Sequence, residues 1–347
     1  MATAWDVKRQ IEYYARRFEP VVASQIMRAY QAVAGSMSTS QLLKLIGSAS
    51  PERATITIMA LEQLLPQLRP VGMLVTSEAV AAGKRATPFL PRGVQAILTN
   101  TTGARTFDVL NPHIVSELRA LETRVVERLG EGLRKTFLQV MVDGTEAGLP
   151  HAQIARNLKG TVGLARNQWA AVHNFEDMLR NGNPEALTRA WRDHRFDRTL
   201  HRALGPGGTG LTENQIAQMT SAYQRRAIAS NAATHARTAA LDAQRLGQKL
   251  NWLDAIGQGA LKESEVWKRW SSAGDDRVRP LHVDADGEEV RFNESFSVTG
   301  EDLPGEITFN CRCIAIFFRQ PKRADWGPKE AGHLPLGHRV PEPNLGV

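Results

Sequence analysis

At 347 residues the chain is longer than one hydrophobic core usually serves, so two or three domains are expected. Its 42% hydrophobic and 23% charged residues are the composition of a folded globular protein, which excludes a disordered or fibrous chain. The net charge of +7 is a mild basic excess with no block of like charges, so it permits contact with nucleic acid without demanding it. No apolar stretch approaches the ~20 residues of a membrane span, and the first residues lack the basic and apolar blocks of a secretory signal. Synthesis in a cytoplasm is expected, with the two cysteines reduced.

Helix punctuation organises the first 250 residues. Ser50-Pro51, Asn111-Pro112, Asn183-Pro184, and Thr212 with Gln215 three residues on each place a capping side chain at a helix start. The stretch from Val71 to Arg105, with Pro88, Pro91, Gly93 and Gly103 among short apolar runs, gives no clear pattern. After Asn111-Pro112, the residues Ile114, Leu118, Leu121, Val125, Leu129, Leu133, Phe137 and Met141 recur every three or four positions. That spacing predicts one long amphipathic helix ending near Gly144. Gly205-Pro206-Gly207-Gly208-Thr209-Gly210 lacks the lysine of a phosphate loop and reads as a connection between helices. A second long helix is expected from Glu213 to about Leu246, ended by Gly247.

Beyond residue 250 the pattern changes to a small hairpin module. Gly287 and Pro304-Gly305 supply turns, while Val290-Arg291-Phe292 and Ile307-Thr308-Phe309 read as short strands. Cys311 and Cys313, two apart in an extended segment, should point the same way. From Pro321 onward the chain has too few apolar groups to pack alone and reads as an extended arm. The expected fold is mainly α with a small C-terminal α+β module, in four segments. Residues 1–104 form a mostly helical region, 105–250 the long helices, 251–320 the module and 321–347 the tail.

The order Trp270, Asp275-Asp276-Arg277-Val278-Arg279-Pro280-Leu281-His282, Asp286-Gly287, Phe296, Pro304-Gly305 and Asn310-Cys311-Arg312-Cys313 resembles the head-morphogenesis family of tailed phages, named after the F protein of phage Mu. Earlier segments such as Ile154-Ala155-Arg156-Asn157-Leu158 and Ala236-Arg237-Thr238 extend the resemblance over roughly 105–318, although Ala239 stands where the family usually has Glu. The resemblance implies a structural minor head protein rather than an enzyme. Such a protein is portal-associated or lies on the inner capsid wall, acts in head assembly, DNA packaging or delivery, and needs no cofactor. The implied partners are the portal protein, the major capsid protein and packaged DNA, with no membrane during assembly. The alternative is an internal DNA-binding or ejected virion protein.

Two chemical readings are weighed beside it. Asp275, Asp276, His282, Asp284 and Asp286 could bind a metal and cut nucleic acid, against the plain reading that aspartates cap turns. Several relatives carry a Cys-x-x-Cys pair upstream of the closing Cys-Arg-Cys, where this chain has Arg279 and His282. Only His282, Cys311 and Cys313 then remain as zinc candidates, one short of a structural site. The expectation is therefore no metal, buried thiols, and a polar clamp of the module built from Arg279, His282, Asn310, Cys311, Arg312 and Cys313. In it Arg279 donates to loop carbonyls or to Asp276.

Overall fold

Ser50, Asn111 and Thr212 start helices as their capping side chains predict. In the computed structural model, which describes residues 4–61, 64–99, 107–205 and 207–320, the elements in chain order are α1 (Ala4–Ser36), α2 (Thr39–Ser48), α3 (Pro51–Leu61), α4 (Leu64–Arg85), α5 (Arg92–Leu98), α6 (Pro112–Glu146), α7 (His151–Gly160), α8 (Arg166–Arg180), α9 (Asp197–Leu204), α10 (Glu213–Gly257), β1 (Val266–Ser271), α11 (Pro280–Asp284), β2 (Glu289–Arg291) and β3 (Ile314–Arg319). The Arg53 N–H donates to Ser50 Oγ at 3.4 Å and the His113 N–H to Asn111 Oδ1 at 2.9 Å. Thr212 and Gln215 cap one another reciprocally at 3.3 and 2.9 Å. Asn183 is a weaker signal than it reads. It caps the Glu185 N–H at 2.9 Å, but Ala186 and Arg189 bond back three residues, so only the 3-10 turn Pro184–Thr188 forms.

The stripe predicted on α6 is the face that packs: Ile114, Leu121, Val125, Leu129, Leu133, Phe137 and Met141 are all buried. Residues 71–99, unclear in sequence, fall in α4, a 3-10 turn Thr87–Phe89 and α5. Residues 100–105 and the predicted arm at 321–347 lie outside the described residues.

α10 corrects the second long-helix expectation. It does not end at Gly247 but runs on to Gly257, because Gly247 is a packing position rather than a cap. A side chain there would meet Ala82 Cβ at 2.4 Å and the Gly83 nitrogen at 2.8 Å, so α4 crosses α10 at this glycine. Every residue from Thr238 to Ala255 is buried, as expected for a helix enclosed on all sides. α1 and α4 cover one side of it, and α6 and the terminal module cover the rest. One hydrophobic cluster extends from Val22 on α1 to Ala315 on β3. A smaller one joins Val7, Ile11 and Ala15 to Ala240, Leu241 and Ile314.

β1 is the centre of an antiparallel sheet of order β2-β1-β3, with Lys268 opposite Val290 on one side and Phe317 on the other. The predicted strand at 290–292 is thus present, shifted by one residue to 289–291. The strand predicted at Ile307-Thr308-Phe309 is not. Those residues make a turn, because the Glu301 carboxylate takes the Ile307 N–H at 2.8 Å and the Gly305 N–H at 3.1 Å. The sheet partner is instead Ile314–Arg319. Among the described residues no helix is long and apolar enough to cross a membrane. The mainly α architecture with a small C-terminal α+β module is the one expected.

Candidate functional site

Three chain segments bring the sulfur and imidazole groups together. The Pro280 turn starts α11 and rotates His282 inward, where it is 2% exposed and stands edge-on to the buried Trp270 ring at 5.1 Å. Phe296 meets the same indole edge-on, also at 5.1 Å. Cys311 and Cys313 enter β3 with both side chains buried, as the two-residue period predicts. Their Sγ atoms lie 3.4 and 3.6 Å from His282 Nδ1. The three ligand atoms fall within 4.8 Å of one another.

The two thiols share their protons unequally. The Cys313 thiol donates to Cys311 and holds it well below the usual thiol range, with the Arg245 guanidinium adding to the effect. Cys313 is pushed up by the same hydrogen bond and by burial. A lowered thiol beside a second thiol and an imidazole has the donor chemistry of a soft cation site.

Zinc bonds of about 2.3 Å to sulfur and about 2.0 Å to nitrogen at tetrahedral angles give sulfur–nitrogen edges near 3.5 Å, so these residues fit three corners of such a site. Among the described residues no carboxylate, cysteine or histidine joins as a fourth. Arg279, at the position of the missing ligand, is exposed and turns its Nη2 to the Phe309 carbonyl at 2.9 Å. A metal held by three side chains should exchange readily. Elemental analysis is expected to find well under one zinc per chain after dialysis against a chelator, with thermal unfolding unchanged. One tightly retained zinc, whose loss unfolds the module, is the result that would refute this.

The proposed clamp residues are distributed differently from one another. Arg279 takes a loop carbonyl and not Asp276. Arg312 forms a bidentate pair with Asp275 at 2.5 Å on both nitrogens. Asn310 adopts φ +55, the one non-glycine in the left-handed region among the described residues, and its N–H donates to Thr238 Oγ1 on α10 at 3.1 Å. His282, Cys311 and Cys313 form the buried cluster already described.

The deeper contacts come from residues that sequence reasoning missed. Arg245 of α10, 3% exposed, donates to the Cys313 carbonyl at 2.9 Å, to the Cys311 carbonyl, and to Asp242 Oδ1 at 3.3 Å. Gly305, at φ +94, lets this guanidinium approach, since a Cβ there would stand 2.6 Å from Arg245 Nη1. Arg128 of α6 binds Asp242 Oδ2 at 2.9 Å and the Glu306 carbonyl at 3.0 Å.

Lys268 points from β1 into the interior, fully buried, and donates to the Asp302 carbonyl at 2.9 Å and to the Asp302 carboxylate. Lys249 of α10 reaches the same carboxylate at 2.7 Å and also binds Glu117 of α6. Burial pushes Asp302 up, yet Lys249 and Lys268 outweigh it and leave this carboxyl below the usual range. Glu301, 2% exposed, is raised by burial against the two N–H groups that it accepts. Asp242, Arg245 and Lys249 recur at i, i+3 and i+7 on α10, the spacing of an ordinary solvated face, so the sequence alone carried no signal for them.

The acidic cluster does not assemble around His282. Asp275 is paired with Arg312 and caps the Arg277 N–H at 3.2 Å, and Asp286 accepts the Ser272 N–H at 2.7 Å. Asp276 and Asp284 are exposed, while His282 faces the sulfurs.

Residues 194–316 match the family model described as phage Mu protein F like protein, about a third of the chain. The matched segment runs from just before α9 to the middle of β3 and so contains α10 and the whole sulfur–imidazole cluster. Residues 105–193, where sequence segments also resembled that family, lie outside it. No curated protein and no solved structure matches the chain.

Proposed function

With residues 194–316 belonging to the phage Mu protein F-like family, we propose that this chain is a structural minor head protein of a tailed phage, associated with the portal or the inner capsid wall and acting in head assembly, DNA packaging or delivery. The family assignment carries this reading. The way the module is fastened supports it: charged contacts from Arg245, Lys249 and Arg128 lock the module onto two long helices, which suits a rigid docking body. The proposed role of the cluster is to hold the closing strand in place, with no turnover.

Mass spectrometry of purified procapsids and virions is the direct test. The chain is expected in both, at low copy number relative to the major capsid protein. Its absence from both would overturn the proposal. The net charge of +7 permits contact with packaged DNA without demanding it, and tight duplex binding that survives higher salt would favour the alternative of an internal DNA-binding protein. A purely phosphate-directed contact should weaken steeply with ionic strength, and duplex binding is expected to be lost by about 0.3 M salt.

A further inference from the structure

A cleft of about 480 Å³ opens where α6, the start of α8, α10 and the Phe309 turn meet. It lies apart from the sulfur–imidazole cluster, and the residues 165–168 that form one wall precede the family match. At that wall α8 begins at Ala165, whose side chain has no oxygen to cap a helix. The Gln168 side chain turns back to the Ala165 N–H at 3.0 Å, and the Gln168 and Trp169 N–H groups bond to the Ala165 carbonyl. The Arg166 and Asn167 N–H groups have no acceptor among the described residues. Two free donors at the positive end of a helix of 15 residues make a ready position for an anion.

The opposite wall supplies the independent observation. His235 of α10 is 8% exposed, lines the cleft, and makes no hydrogen bond to any described residue. Its ring nitrogens are not among the fully enclosed unpaired atoms, so the little surface that His235 keeps leaves them open to the cleft and to a ligand seated there. Burial, with Arg128 nearby, lowers its pKa to about 4, so at neutral pH it is an uncharged imidazole able to donate one hydrogen bond. Lys135 and Arg166 rim the opening; Lys135 lies 3.5 Å from the exposed Glu131 carboxylate, while Arg166 has no partner among the described residues. Glu131, the acid in the lining, is already held by Arg134 at 2.7 Å through two nitrogens. Phe309, 37% exposed, stands edge-on to His235 at 5.1 Å and gives the cleft an aromatic surface.

We propose that this cleft binds the phosphate group of a nucleotide unit, with the phosphate at the start of α8 between Arg166, Lys135 and His235 and the base against Phe309. A free nucleotide and the end of a single strand present the same chemistry. The assignment does not rest on the head-protein reading, since a head protein without this site would still appear in virions.

Calorimetric titration of the full chain tests it, using adenosine monophosphate, a single-stranded octanucleotide bearing a 5′-phosphate, and inorganic phosphate. Adenosine monophosphate or the octanucleotide is expected to saturate one site per chain, and inorganic phosphate to bind at least tenfold more weakly than that ligand. Asn167→Asp separates binding from folding. A carboxylate in the first turn of α8 favours the helix, so thermal stability should be equal or higher. The same carboxylate repels the phosphate and should weaken binding at least tenfold, with Arg166→Ala acting in the same direction. Tighter binding of the octanucleotide assigns the site to nucleic acid ends, and equal or tighter binding of the monophosphate assigns it to free nucleotide. Failure of both to saturate, insensitivity to Asn167→Asp, or equal affinity for inorganic phosphate would each overturn the proposal.

Discussion

Arg245→Ala is expected to release the terminal module from α10 while the helices before residue 238 stay folded. The guanidinium holds the Cys311 and Cys313 carbonyls and Asp242 at once, in a position 3% exposed. Its removal leaves two buried carbonyls without that donor, each worth about 1–3 kcal/mol. Asp242 keeps its pair with Arg128 at 2.9 Å, which limits the loss. Breaking a buried pair from one side costs about 3–5 kcal/mol, and the substitution should fall in that range. Lysine cannot reproduce a planar fork that reaches three acceptors, so Arg245→Lys should recover only part of it.

Arg279→Ala provides the contrast. Its single hydrogen bond to Phe309 is exposed, and the expected cost is about 0.5–1.5 kcal/mol. Thermal unfolding together with limited proteolysis mapped to residues 259–320 decides the matter. Arg245→Ala melting like Arg279→Ala, with no new cleavage in the module, would show that the clamp lies elsewhere.

The contrast between these two arginines also marks what the sequence made legible. Local signals were readable: the caps at Ser50, Asn111 and Thr212, and the stripe from Ile114 to Met141, depend on residues within a few positions of one another. The sulfur–imidazole set was readable because it is short and chemically distinctive. Contacts between distant segments were not. Asp242, Arg245 and Lys249 on a helix look like a solvated face until partners from residues 117, 128, 302, 311 and 313 are placed against them. Ile307-Thr308-Phe309 has strand composition, but the Glu301 carboxylate takes its first backbone donor, the Ile307 N–H. The apolar run Ile314–Arg319 carries a stronger strand signal and wins the place beside β1.

Gly247→Ala should destabilise the protein even though the same change favours a helix interior by about 1 kcal/mol. The new Cβ would meet Ala82 Cβ at 2.4 Å, the Gly83 nitrogen at 2.8 Å and the Ala79 carbonyl oxygen at 2.9 Å. Two of these atoms are backbone, so no rotamer change relieves the contact and α4 must shift away from α10. That shift also strains the hydrogen bonds from Gln244 to Glu78 at 2.7 Å and from Asn251 to the Ala86 carbonyl at 2.9 Å. Overpacking of this kind typically costs about 1–3 kcal/mol and here should exceed the gain in propensity. Gly132→Ala on α6 is the matched control, because a Cβ there meets nothing within 4 Å. It should stabilise by about 0.5–1 kcal/mol. Thermal unfolding of both variants, with hydrogen exchange over residues 64–85, reads the two signs directly. Stabilisation by Gly247→Ala would mean that α4 does not approach α10 this closely at this glycine.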